Sequence, residues 1–305
     1  MRSSSLARVV IASLGVTVVI TLGCGKPPTE PTPTPAPPPP PFVFGELSAQ
    51  QRAAFSLFEA VGAHAFLTTS LLTYGTENGK VMWTNGPCAF GQGSMQGSLE
   101  GGLVPAPGTF LPTGSHTYVV SFSNCPVNYW GNEAFELHGV ASAAYSTADW
   151  STLTAMVSAD SLRGQEIGGF SGLNDVTADG SAVWTRVGSS TTTTTYTPAT
   201  GARLVNNSTS NVATFGGGSY SRYPNLQRGA SSSWPGYRFD NLKVAINGTE
   251  YTLNGSLELF TVGSSGSLRS AGETRIVNNG TLVARIYGDV RNALTIEVLV
   301  PLVTF

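Results

Sequence analysis

Asn85-Gly86, Asp179-Gly180, Asn247-Gly248, Asn254-Gly255 and Asn279-Gly280 punctuate the chain beyond residue 80. Asn-Gly and Asp-Gly accept the positive φ of type I′ turns, which join two strands through two residues. Between these dipeptides lie runs rich in β-branched and aromatic residues, at 117–122, 182–187, 257–262, 281–287 and 294–303. Short strands separated by turn signals predict a mainly β chain, an antiparallel β-sandwich or barrel-like domain. Hydrophobic residues make up 41%, enough for a core, so global disorder is excluded. Only 11% of residues are charged, so the surface must be mostly Ser, Thr, Asn and Gly. With 16 Lys and Arg and a net charge of −2, nothing points to a basic face for nucleic acid.

One segment breaks the β pattern. Ser48-Ala49-Gln50-Gln51 fits a capping box, and Phe55, Phe58, Val61 and Ala65 recur at helical spacing. The spacing predicts one amphipathic helix over about 48–72, docked on the β domain. His64 falls on its less apolar side and reads as a surface or capping residue.

A weak internal repeat runs through the β region. Phe122-Ser-Asn124-Cys-Pro-Val127 is echoed by Phe239-Asp-Asn241-Leu-Lys-Val244. The unit Phe135-Glu-Leu137-His138-Gly139 is echoed by Tyr251-Thr-Leu253-Asn254-Gly255. Each copy reads as strand, loop, strand and turn, with Phe and Leu inward, consistent with two related β halves. Asn254 then reads as a turn residue, and His138 with it.

The first residues give an address. Arg2 and Arg8 precede an apolar run from Val9 to Leu22, which is the layout of an export signal. The run is shorter than the roughly 20 residues that a permanent transmembrane helix needs. It ends in Thr21-Leu22-Gly23-Cys24, which resembles the lipobox of bacterial lipoproteins, with Thr21 where Leu is usual. The resemblance implies cleavage before Cys24 and acylation of Cys24 by a diacylglycerol and an N-linked acyl chain (palmitate). It also implies sorting to the outer membrane, since Gly25 rather than Asp follows the Cys. From Pro27 to Pro41, 10 of 15 residues are Pro, a polyproline II spacer that cannot build a core. The expected organisation is signal 1–23, lipidated linker 24–41 and β-rich domain 42–305.

Cys88 and Cys125 remain once Cys24 is assigned to lipid, and an even pair in an exported domain reads as a disulfide. A two-Cys metal site would need further ligands that the sequence does not supply nearby. The chain is expected to work without metal or cofactor.

Catalytic patterns are sparse. No G-x-S-x-G elbow or Walker loop occurs. Asp175-x-Thr177-x-Asp179-Gly180 has the start of a calcium loop, but Arg186 occupies the position of its bidentate Glu, and an Asp-Gly hairpin accounts for it better. Glu133 with Glu136, and Glu250 with Glu258, are the carboxylate pairs that a sugar hydrolase would use. Residues three apart on a strand face opposite sides, so solvated faces are the default reading. Phe305 ends an aliphatic run like the last strand of a membrane barrel, but Pro301 interrupts it. Aromatics in polar, Gly-rich contexts are the most suggestive feature: Tyr129 and Trp130, then Tyr220, Tyr223, Trp234 and Tyr237 near Arg222 and Arg228. They either cover core edges or form a stacking platform for a sugar or a cation. The expectation is a non-catalytic, membrane-tethered module that binds a glycan or an envelope protein, or serves structurally. A polysaccharide hydrolase and an accessory subunit of an outer-membrane complex are the alternatives.

Overall fold

The computed structural model describes residues 46–305 except 74–75, 78–79, 82–85, 89–92, 107, 129–133, 168–173, 189–192, 225–231, 234–235, 263–266 and 289–292. Tyr129, Trp130, Glu133, Arg228 and Trp234 therefore lie outside the described residues.

A 25-residue helix, α1 (Ala49–Thr73), comes first. Its capping box forms as the sequence predicts: Gln51 N donates to Ser48 Oγ at 3.2 Å, and Ser48 N donates to Gln51 Oε1 at 3.0 Å. Two short strands, β1 (Thr76–Glu77) and β2 (Lys80–Val81), pair with each other. Then follow β3 (Gly86–Pro87), β4 (Ser94–Leu99), β5 (Gly114–Asn128), β6 (Ala134–Thr147), β7 (Thr152–Ile167) and β8 (Asp175–Val187). Short strands β9 (Thr193–Pro198), β10 (Arg203–Asn206), β11 (Asn211–Phe215), β12 (Ser219–Tyr223) and β13 (Ser232–Ser233) lead to the second long set. That set is β14 (Gly236–Ile246), β15 (Thr249–Val262), β16 (Ser267–Asn278), β17 (Thr281–Gly288) and β18 (Leu294–Val298).

The chain is mainly β, and β3 to β18 form one antiparallel sheet of 16 strands in the order β18-β17-β16-β15-β14-β11-β10-β8-β7-β6-β5-β4-β3. Between β8 and β14 the sheet is bridged twice, through β10 and β11 at one end and through β9 and β12 at the other. Both β6 and β18 touch α1. They stand nine places apart in the strand order, or about 43 Å at roughly 4.8 Å per strand. A helix is only about 10–12 Å across, so the sheet must curl around it, which makes the fold barrel-like.

That curl buries the expected helix over most of its circumference. Beyond Gln50, the positions of α1 left only part-buried, Gln51, Phe55, Glu59, Gly62 and Phe66, form one narrow stripe, and Arg52 beside them is exposed. The segment Ala49–Leu72 is long and apolar enough to cross a membrane, yet 78% of its most apolar window is buried inside the domain. Its buried Ser56, Thr69 and Ser70 return their hydroxyls to carbonyls three or four residues earlier.

Three bulges of one pattern bend the long strands. Between β5 and β6 the register shifts from Phe122↔Gly139 to Cys125↔Leu137, with Asn124 at φ 48°. Between β14 and β15 it shifts from Phe239↔Gly255 to Leu242↔Leu253, with Asn241 at φ 49°. These are the two copies of the sequence repeat, which is a bulge motif. A third copy, between β7 and β8, runs from Ala159↔Gly180 to Leu162↔Ala178, with Ser161 at φ 50°. Bulges bend a strand and increase its twist.

The motif corrects three sequence readings. Asp179-Gly180 and Asn254-Gly255 are not hairpin turns, and His138 lies within β6. The positive φ that each glycine supplies serves the strand opposite a bulge. At Gly255, φ is 114° and a Cβ would strike the Glu273 carbonyl oxygen of the next strand. Asn247-Gly248 and Asn279-Gly280 are true turns, with positive φ at both residues.

The chain end folds back over the helix start. Leu302 N donates to Gln50 Oε1 at 2.6 Å, Val303 N donates to Tyr251 Oη at 2.9 Å, and Leu302 and Phe305 are buried. Phe305 is therefore a core residue beyond the last strand, not part of a membrane-facing one. Cys88 and Cys125 are joined with Cα atoms 5.3 Å apart, which pins β5 at its bulge.

Candidate functional site

The aromatic candidates separate by strand parity. On β12, Tyr220 points into the core, 5% exposed, with its ring 6.1 Å from Tyr237 and 5.4 Å from Phe239. Phe58 of α1 meets the same cluster edge-on, 5.1 Å from Tyr237. Burial raises the Tyr220 phenol pKa. This residue closes the core and is no surface platform.

Tyr223, three residues on, faces outward. It pairs with Gly236 of β14, and its ring covers that glycine so closely that no Cβ fits there. Its hydroxyl is hydrogen-bonded with Ser256 and Glu258; burial and the Glu258 charge together raise its pKa. Around it lies an open depression of about 490 Å³, lined by Thr193, Ser221, Tyr223, Arg238, Gly255 and Ser256. The register Ser221↔Arg238↔Ser256 places three of these in one row across β12, β14 and β15. Two glycines and the Asn241 bulge leave room where side chains would otherwise fill the surface.

Sequence reasoning found Tyr223 but missed Thr193, Ser221, Arg238 and Ser256. They lie up to 63 positions apart, and only the strand register joins them. The lone local signal was Gly236 in an otherwise aromatic and polar run.

The other polar groups are structural. His64 is fully buried, which corrects its reading as a surface residue. Its Nε2 lies 3.2 Å from the Asp179 carbonyl, which can only accept, so Nε2 carries the proton and Nδ1 accepts from Tyr196 Oη at 2.6 Å. The Tyr196 oxygen in turn accepts from Thr68 Oγ1 at 3.0 Å. Desolvation lowers the His64 pKa to about 4, against smaller raising contributions from the Asp179 carbonyl and charge. The ring is neutral and enclosed.

Of the carboxylate pairs considered for hydrolysis, Glu133 of the first lies outside the described residues, and Glu250 and Glu258 do not converge. Glu250 pairs with Lys243 at 3.2 Å, and Glu258 lies eight residues further along β15, about 27 Å away at roughly 3.4 Å per residue. Asp175 and Asp179 lie within β8, paired with Arg163 and with Arg203, so they form no calcium loop. Among the described residues, no group of three His, Cys, Asp or Glu is placed to hold a metal ion.

No protein family matches the chain, and neither a curated protein nor a solved structure matches it significantly.

Proposed function

We propose that this chain is a lipid-anchored protein of the bacterial outer membrane whose β domain binds a glycan without altering it chemically. The export signal, Gly23-Cys24 and the Pro-rich spacer supply the anchor and the stand-off. The depression at Tyr223 carries the binding reading. A pyranose ring presents C–H faces and a rim of hydroxyls. An aromatic wall, three hydroxyl side chains and a guanidinium fork are complementary to both.

Retention of the full-length protein, in detergent, on a panel of immobilised cell-wall and environmental polysaccharides tests this. Tyr223→Ala should lose binding by about tenfold or more, the equivalent of ~1.4 kcal/mol. Retention unchanged by that substitution would move the site elsewhere, and retention on nothing would end the glycan reading.

A second reading has its own support. Met156 and Val183 are cross-strand partners on the outer face of β7 and β8, 59% and 42% exposed. Contact with another envelope protein would use such side chains. In that case Met156→Lys, and not Tyr223→Ala, would abolish co-purification of the partner.

A further inference from the structure

From residue 101 to residue 132 the sequence contains no Asp, Glu, Lys or Arg. Its first part, 101–113, belongs to the loop between β4 and β5. Among the described residues, the two most exposed large apolar side chains lie in this loop, Phe110 at 67% and Leu103 at 64%. Val104, beside Leu103, is 46% exposed.

The domain holds the loop firmly while leaving these side chains outside. Pro105 and Leu111 are both buried, so the chain dips inward after Val104 and again after Phe110. Leu99 N donates to the Leu103 carbonyl at 2.7 Å, and Thr109 N donates to the Ala106 carbonyl at 3.1 Å. Tyr145 Oη donates to the Pro112 carbonyl at 3.0 Å, and His116 Nε2 lies 3.1 Å from the Thr113 carbonyl. Pro105 and Pro112 restrict the backbone further. The tip is preorganised, so little ordering is lost when it meets a partner.

A projecting apolar tip differs from the flat pair Met156 and Val183 on the strands. A flat face suits a matching face of another protein, whereas a tip suits a fluid apolar phase that closes around it. No charge has to be desolvated when this loop enters such a phase, and the carbonyls of Leu103, Ala106, Pro112 and Thr113 already accept hydrogen bonds.

The tether allows that contact. His64 meets the Asp179 carbonyl, and Thr68 meets Tyr196, the partner of Trp184, so α1 runs along β8 towards Val187. Val187 pairs with Thr152 on one side of the β6–β7 turn, and Gly114 pairs with Thr147 on the other. The loop therefore opens at the end where α1 finishes, about 37 Å from where the chain enters the helix. Residues 24–45 reach at most roughly 68 Å at the polyproline rise of about 3.1 Å per residue. They are long enough to let that far end come down on the bilayer that holds Cys24. A tether also keeps the loop at high local concentration near the lipid, so a weak second contact is populated.

We propose that the 101–113 loop docks the domain on the bilayer, with Leu103, Val104 and Phe110 entering the boundary between head groups and acyl chains. This rests on the lipid anchor at Cys24 described above.

Ala106→Cys carrying the environment-sensitive fluorophore NBD, in the full-length lipidated protein reconstituted into liposomes, tests the proposal. With Cys24 acylated and Cys88 bonded to Cys125, the new thiol is the one that takes the label. Its emission should shift to the blue. Lipids with a nitroxide near the glycerol end of the acyl chain should quench it more than lipids with a deep nitroxide, as expected for insertion of about 5–10 Å. Ser208→Cys, exposed at the opposite end of the domain between β10 and β11, should stay unquenched. Adding Leu103→Ser and Phe110→Ser to Ala106→Cys should abolish the shift and the quenching, with the protein still floating with the vesicles. Quenching that survives those two substitutions, or that appears at position 208 instead, would overturn docking through the loop. A label at position 106 that stays in water while the protein floats would refute the docking and leave the anchor standing. Failure to float would remove the anchor and the docking together.

Discussion

Asp179 joins three parts of the molecule through separate atoms. Its carbonyl accepts from His64 of the helix, Oδ1 accepts from Ser161 N at the bulge at 2.8 Å, and Oδ2 pairs with Arg203 at 3.0 Å. The His64 contact has a pH signature. An unfolded chain protonates His64 near pH 6.5, whereas the folded chain refuses the proton until about pH 4. The unfolded state binds more protons across that window, so stability falls as pH falls from about 6.5 to about 4, by roughly 3 kcal/mol. Asp175, held low by Arg163, gives up its contribution only as pH falls through the carboxylate range. Urea midpoints at pH 7, 5.5 and 4 should therefore decline steadily, and His64→Gln should flatten the decline while lowering stability at pH 7. An unchanged slope in His64→Gln would contradict this assignment.

At the scale of elements, the bulge is the unit that shapes the sheet. Gly255 sits opposite the Asn241 bulge, and Asn254 Oδ1 accepts from Asn241 N at 2.7 Å. Asp179 repeats that contact at Ser161. Gly255→Ala meets both a positive φ and the Glu273 backbone, whereas Gly248→Ala in a true turn meets only the φ. Chemical denaturation should show about 1 kcal/mol lost at Gly248 and clearly more at Gly255. Equal losses would mean that the strand yields freely there. The same comparison explains what was legible in the sequence. Capping box, helix, strand-rich character and cysteine pair all rest on local patterns, and all are present. The Asn-Gly and Asp-Gly dipeptides report a need for positive φ, but a hairpin turn and a bulge partner share that need. Asp179-Gly180 and Asn254-Gly255 therefore look like turns in the sequence. The third copy of the motif was hidden because its inward positions are Ala159 and Ala178, where the others carry Phe or Leu. The depression was illegible for a different reason, since its row Ser221–Arg238–Ser256 exists only once three strands are in register.

At the scale of the whole molecule, a helix with a window apolar enough to cross a membrane is buried inside the domain because the curled sheet covers most of its surface. The Cys88–Cys125 link spans 37 residues and ties the early strands to that sheet. Reduction should cost about 4 kcal/mol on the chain-entropy account, seen as a lower melting temperature for the reduced protein or for Cys88→Ala. Anchoring is separable from folding: Cys24→Ala should lose incorporation of labelled palmitate and leave the membrane fraction, with the domain's circular dichroism unchanged. A glycan site at Tyr223 is tested most directly by hydrogen–deuterium exchange with and without a polysaccharide that retains the protein. It predicts slowed exchange in peptides covering 219–223, 236–240 and 254–258, with the helix and β5–β7 unaffected. Slowing confined to the outer face of β6–β8, or none anywhere under saturating polymer, would contradict it.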